Sequence, residues 1–102
     1  MNFNLKEKHT ILMKYTHNEP EESFTVKTMM SSGLVIVSIN HYKKSENYLD
    51  SVPTPQDRLF TYRSDEQQEL EIRPTDENFC YDCVYLIKIY SMRKSQFIFE
   101  VQ

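Results

Sequence analysis

Alanine and tryptophan are absent from this chain of 102 residues, and glycine occurs once, as Gly33. Val, Ile, Tyr, Phe and Thr supply most of the patterned segments instead, a composition that favours strands over helices. No run approaches the ~20 apolar residues of a membrane helix, and Met1 to Thr10 holds no apolar stretch of signal-peptide length. A soluble chain is expected. Patterned sequence begins so soon after Met1 that the chain reads as a piece of a longer protein. Basic residues are scattered in pairs such as Lys43-Lys44 and Arg93-Lys94, and the formal charge is −3. That balance offers no footprint for a phosphate backbone, so nucleic acid is not an expected partner.

Catalytic framing is also missing. Ser, His and Asp all occur, but no Gly-x-Ser-x-Gly elbow marks a nucleophile. The pairs Glu21-Glu22, Asp65-Glu66 and Asp76-Glu77 lie in connections, where acids are ordinarily solvated. No enzyme activity is expected. Asn-x-Ser/Thr acceptor sites are absent too, which removes one marker of secretion without arguing against it.

What the chain has is a hydrophobic content of 39% with 13% aromatics, including seven Tyr and six Phe, enough to set it apart from disordered sequences. One domain of this length buries roughly two-thirds of the surface its unfolded chain exposes. "HTILMKYTH" (His9 to His17) and "SFTVKTMM" (Ser23 to Met30) alternate with a period of two and read as strands, separated by the acidic, proline-broken "NEPEE". Ser31-Ser32-Gly33 is a turn. "LVIVSIN" (Leu34 to Asn40) is apolar on both faces at first, as a central strand covered on both sides would be.

From His41 to Asp57 the pattern dissolves, and Pro53 and Pro55 forbid a regular ladder or helix. Irregular regions of this length tend to be functional or mobile. Strands resume at Arg58 to Ser64, Leu70 to Arg73, Val84 to Ser91 and Gln96 to Val101. Seven short strands at this spacing predict an all-β, antiparallel sandwich, with no internal repeat.

The order of "ESFTV" (Glu22 to Val26), "GLVIVSI" (Gly33 to Ile39), "SENYLDSVPTPQDRLFTYRS" (Ser45 to Ser64), "LEI" (Leu70 to Ile72) and "CYDCVYLIKIYSMRKSQFIFEV" (Cys80 to Val101) resembles the bacterial pre-peptidase C-terminal domain. Ser91 stands where that family often has glycine, and Ser45-Glu46-Asn47 replaces its more usual acidic pair. The resemblance spans residues 22–101 and implies a jelly-roll-like sandwich, with residues 1–21 as an additional N-terminal strand and linker. It also implies a non-catalytic accessory module of a larger secreted or surface protein, binding a protein or polysaccharide. Some relatives hold calcium near this N-terminal edge, where the present chain has Glu19, Glu21 and Glu22. Three Glu without an Asp/Asn/Gly loop do not define a calcium cage, so no cofactor is expected.

Cys80 and Cys83 stand three positions apart. Zinc usually needs four ligands; this pair supplies two at the correct spacing, and neither His9, His17 nor His41 pairs with another histidine at a ligand-like interval. No metal site is expected. A thioredoxin-like pair would need a helix after its first cysteine, and a strand follows. A disulfide and two free thiols remain, the disulfide if the setting is extracellular and the thiols if it is cytosolic.

Tyr42 and Tyr48 flank Lys43-Lys44-Ser45-Glu46-Asn47 and could present rings to a sugar or partner chain, with Tyr48-Leu49 as a short inward-packing edge strand the plainer reading. Two functions follow. The first is a recognition or adhesion module at the cell surface or outside it. The alternative is an intracellular assembly domain packing against neighbouring chains.

Overall fold

The structure, a computed structural model, describes all of residues 1–102 and contains eight strands. They are β1 (Asn2–Leu5), β2 (Thr10–Thr16), β3 (Phe24–Ser32), β4 (Val35–Lys43), β5 (Phe60–Ser64), β6 (Gln67–Ile72), β7 (Cys83–Ser91) and β8 (Ser95–Val101). Two four-stranded antiparallel sheets form, ordered β1-β8-β3-β6 and β2-β7-β4-β5. This order results when one long hairpin, with β1 beside β8, β2 beside β7, β3 beside β6 and β4 beside β5, is wound over on itself. The fold is an eight-stranded jelly-roll sandwich.

Seven strands were expected, and the eighth is β1. Four residues give too little alternation to register as a strand, but Phe3 stacks on Phe97 at 5.5 Å and the segment pairs with β8. Residues 1–21 supply two strands, β1 and β2, each forming one edge of a sheet. β6 starts at Gln67 rather than Leu70; polar Gln67, Gln68 and Glu69 suit an edge strand whose outer face meets water. β4 runs on to Lys43, so the irregular region begins later than its sequence indicates.

Every strand connection except β4–β5 crosses from one sheet to the other, and the connections divide by length. At one end are four short arches, residues 6–9, 33–34, 65–66 and 92–94. At the other end are three long loops, residues 17–23, 44–59 and 73–82. Between the ends, alternate residues of β3, β4, β7 and β8 build the core of Val26, Val35, Val37, Ile39, Ile87, Ile89, Phe97 and Phe99, all essentially without solvent contact. Each such side chain stabilises by roughly 1.5–3 kcal/mol relative to exposure.

The arch end closes around a buried hydroxyl cluster. Ser95 Oγ accepts from the Leu34 amide at 3.1 Å and donates to the Arg93 carbonyl at 2.7 Å, while Ser91 Oγ lies 3.2 Å from it. Gly33, at φ +92°, passes so close that a Cβ would lie 2.2 Å from Ser95 Oγ and 2.5 Å from the Lys94 carbonyl oxygen. Only glycine fits that position. A second polar link joins the sheets directly: Thr28 Oγ1 and the Tyr62 hydroxyl are 2.6 Å apart.

Gly33→Ala should therefore destabilise the domain by more than about 1 kcal/mol from backbone strain alone, with the steric clash added, as read by urea denaturation. Burial, opposed by the bond to Thr28, pushes the Tyr62 phenol up from 10.0 to about 12. Its folded value exceeds its unfolded one, so its contribution is intact below pH 10 and disappears as pH rises from 10 to 12. Allowing for partial exposure, the loss is about 1–2 kcal/mol. Tyr15 and Tyr85, also raised by burial, add to the slope, so Tyr62→Phe should flatten the alkaline limb of a stability–pH curve without abolishing it.

Candidate functional site

Short arches constrain one end of the sandwich, and the long loops at the other supply the variable surface on which binding residues ordinarily lie. Their floor is aromatic. Tyr15 at the end of β2, Phe24 at the start of β3 and Tyr85 near the start of β7 pack in a row, the first pair tilted and the second edge-on, with centroids 4.8 and 4.9 Å apart. His17 packs on Phe24 at 4.8 Å and on the edge of Phe79 at 5.8 Å, and His41 meets Tyr85 at 5.3 Å. Such contacts add about 0.5–1.5 kcal/mol each beyond area burial and give the loops a rigid base.

Loop 44–59 folds back over the outer face of the β2-β7-β4-β5 sheet. Lys14 of β2 sits 4.1 Å from the Tyr48 ring centroid, Lys88 of β7 donates to the Pro53 carbonyl at 3.2 Å, and Asn40 of β4 donates to the Asp57 carbonyl at 3.0 Å. Beneath it Leu86 is 0% exposed and Tyr42 8% exposed. Coverage of β4 on both faces, expected from its apolar start, is what the structure has. Tyr42 consequently cannot offer its ring to a ligand. Tyr48 and Leu49 are not an inward-packing strand either: they open a 3₁₀ turn, capped by the Asn47 side chain, and are 36% and 63% exposed.

Loop 73–82 approaches from the other side. The Tyr85 hydroxyl accepts from the Cys80 amide at 2.8 Å and donates to the Cys80 carbonyl at 3.3 Å, pinning the turn from within. Burial raises the Tyr85 phenol above its ordinary value, and the neutral phenol serves as donor and acceptor together. Cys80 and Cys83 form a disulfide, with Cα atoms 5.6 Å apart. Of the two readings left open for these cysteines, the structure takes the bridge, which weakly favours an oxidising setting. Asp82 occupies the left-handed region at φ 59°, which Asp tolerates better than most residues, and its carboxylate accepts from Lys44 at 2.8 Å.

The two loops thus frame an open cleft of about 400 Å³ lined by Lys43, Lys44, Ser45, Tyr81, Asp82 and the disulfide. Tyr81, 56% exposed, is the aromatic side chain most open to a partner. Sequence reasoning passed over it in favour of Tyr42 and Tyr48; its position between two cysteines, on a turn too tight to bury it, was the available signal. Lys43 and Lys44 are exposed here. A smaller hollow of about 190 Å³ lies between Pro53, Thr54, Pro55 and Arg58 of the loop and Lys88 and Tyr90 of the sheet.

Glu19, Glu21 and Glu22 are all exposed, and Glu22 is used through its backbone, as the acceptor for His17 Nε2 at 2.7 Å. The carbonyl can only accept, so Nε2 carries the proton and Nδ1 receives the Tyr15 hydroxyl at 3.0 Å. His17 is a fully partnered core histidine. His41 likewise gives Nε2–H to the Asn78 carbonyl at 3.0 Å. One group of three ligand-type side chains comes close enough to share an ion, and it is His41, Cys80 and Cys83. No family model, curated protein or solved structure matches the chain.

Because the bridge closes only a four-residue loop, its reduction should lower unfolding free energy by about 2 kcal/mol or less, measured by urea titration with and without a phosphine reductant. Tyr85→Phe leaves both Cys80 backbone groups without their partner and should cost about 1–3 kcal/mol in the same assay.

Proposed function

We propose that this chain is a non-catalytic recognition or adhesion module of a larger secreted or surface protein, akin to the pre-peptidase C-terminal domains it resembles, and that it contacts a protein or polysaccharide through its long-loop end. The observation that carries this reading is the exposed Tyr81 ring beside Lys43 and Lys44 on a turn held by a disulfide and by Tyr85. A flat, half-apolar ring with a polar rim suits either a sugar face or a protein hot spot, and the clamped turn reduces the entropy lost on binding. A catalytic role finds less support, since His17 and His41 spend Nε2 on backbone carbonyls rather than on a nucleophile.

A second reading, assembly against neighbouring chains, is favoured by a groove of about 440 Å³ between edge strand β2 and β8, lined by Met13, Tyr15, Ile87, Phe99 and Val101 among others. Exposed Leu12 lies on the same edge strand. Sedimentation velocity over a concentration series separates the readings: a recognition module stays monomeric, and an assembly domain does not.

Retention of the chain on insoluble polysaccharides and on fibrillar protein matrices tests the first reading. Tyr81→Ala should weaken retention about tenfold or more, the hot-spot scale, and Lys43→Glu should weaken it in a salt-dependent way. Met92→Ala, at the arch end, should leave it unchanged. Retention by none of the matrices, or loss with Met92→Ala but not Tyr81→Ala, would sink the proposal.

A further inference from the structure

We propose that reduction of the Cys80–Cys83 disulfide converts this turn into a three-donor zinc site, with both thiolates and the His41 imidazole as ligands. The register of β4 on β7 creates the arrangement. Lys43 pairs with Cys83 and His41 with Tyr85, so His41 lies on the same face as Cys83, one diagonal step along the ladder. A ring nitrogen of His41 and the two Sγ atoms all fall within 4.8 Å of one another.

Zinc–sulfur bonds of ~2.3 Å and zinc–nitrogen bonds of ~2.0–2.1 Å in a tetrahedron place ligand atoms about 3.5–3.8 Å apart. Side-chain rotation has to bring the His41 nitrogen closer to the sulfurs by at most about 1.3 Å and, once the bond is reduced, to part the two sulfurs from their bonded ~2.05 Å to about 3.8 Å. Two features prepare the site. Donation of His41 Nε2–H to the Asn78 carbonyl leaves the lone pair of the neutral ring on Nδ1, the ligand atom of the proposed site, and a backbone acceptor of this kind is the usual outer partner of a metal-bound histidine. The Tyr85 hydroxyl holds Cys80 by main-chain atoms alone, so the turn stays clamped once the sulfurs part. Thiolate and imidazole together suit zinc better than they suit calcium or magnesium.

The chemistry balances with a dithiol as reductant. The dithiol delivers two electrons and two protons and becomes a disulfide, while the Cys80–Cys83 bond breaks to give two thiols. Zinc then displaces the two thiol protons to solvent. Three protein donors leave a fourth position for water or a small ligand, on the side of the cleft lined by Lys43, Lys44 and Tyr81. The same turn is therefore covalently closed in an oxidising setting and metal-closed in a reducing one.

The test uses the full chain, reduced with a phosphine, freed of reductant under nitrogen, and titrated with Co2+ and then Zn2+. One Co2+ should bind per chain with the visible bands of a tetrahedral ion and an ultraviolet thiolate charge-transfer band, and Zn2+ should displace it. The oxidised chain should bind none. Cys80→Ser and Cys83→Ser should abolish the charge-transfer signal or halve it with much weaker binding, and His41→Gln should weaken binding at least about the 10–100-fold that changes outside the ligand set already cost. A reduced chain that takes up no more Co2+ than the doubly substituted Cys80→Ser/Cys83→Ser chain overturns the proposal. So does a His41→Gln chain with unaltered affinity and spectrum. Loss of the β-sheet circular dichroism on reduction would overturn it as well, because the site exists only while β4 and β7 stay paired.

Discussion

The pairing of β4 with β7 is the constraint on which the rest of the molecule depends. It runs without a break from Val35–Ser91 to Lys43–Cys83, through the middle of one sheet. Its inner face contributes Val35, Val37, Ile39, Ile87 and Ile89 to the core, and its outer face buries Leu86 and Tyr42 under loop 44–59. A slip of one residue would turn every one of these side chains to the opposite face. Both ends of the molecule are anchored to it: the Ser91–Ser95 hydroxyl cluster at one, and Tyr85, His41 and Cys83 at the other.

Much of this architecture was legible because period-two alternation reports which face of a strand is buried. The inward residues Phe24, Val26 and Thr28, or Phe97 and Phe99, stand at alternate positions of their strands. β1 escaped notice because four residues carry almost no periodic signal, and the start of β6 because an edge strand needs no apolar residue on its wet face. Winding order is a different matter. Nothing local in the chain says that β8 should lie between β1 and β3, and that relation comes from closing a common core.

The site was less legible for the same reason. Tyr42 reads as a surface aromatic in a polar stretch, yet it is 8% exposed because loop 44–59, which follows it directly, folds back over the sheet and sets the Tyr48 ring 6.4 Å from its own. Cys80 and Cys83 announce themselves by spacing, but His41 lies far away in the chain and joins them only through strand register. Spacing alone separates none of the three histidines from the others, and only the fold shows that both ring nitrogens of His17 are hydrogen-bonded while one of His41 is bonded to the Asn78 carbonyl.

A division of labour follows from the connection lengths. The arch end is over-determined, since Gly33, Ser91 and Ser95 fill each other's space and no buried side-chain polar atom lacks a partner. The loop end is held differently, by an aromatic floor, a surface ion pair worth at most ~1 kcal/mol and a bridge across four residues. Interactions that contribute little to global stability can change state without unfolding the domain. The disulfide ties the exposed Tyr81 turn to the buried start of β7, with Cys83 3% exposed and Cys80 packed against the core, so opening it would loosen the turn that carries Tyr81 while the main-chain pairing of β4 with β7 still holds the strand beneath.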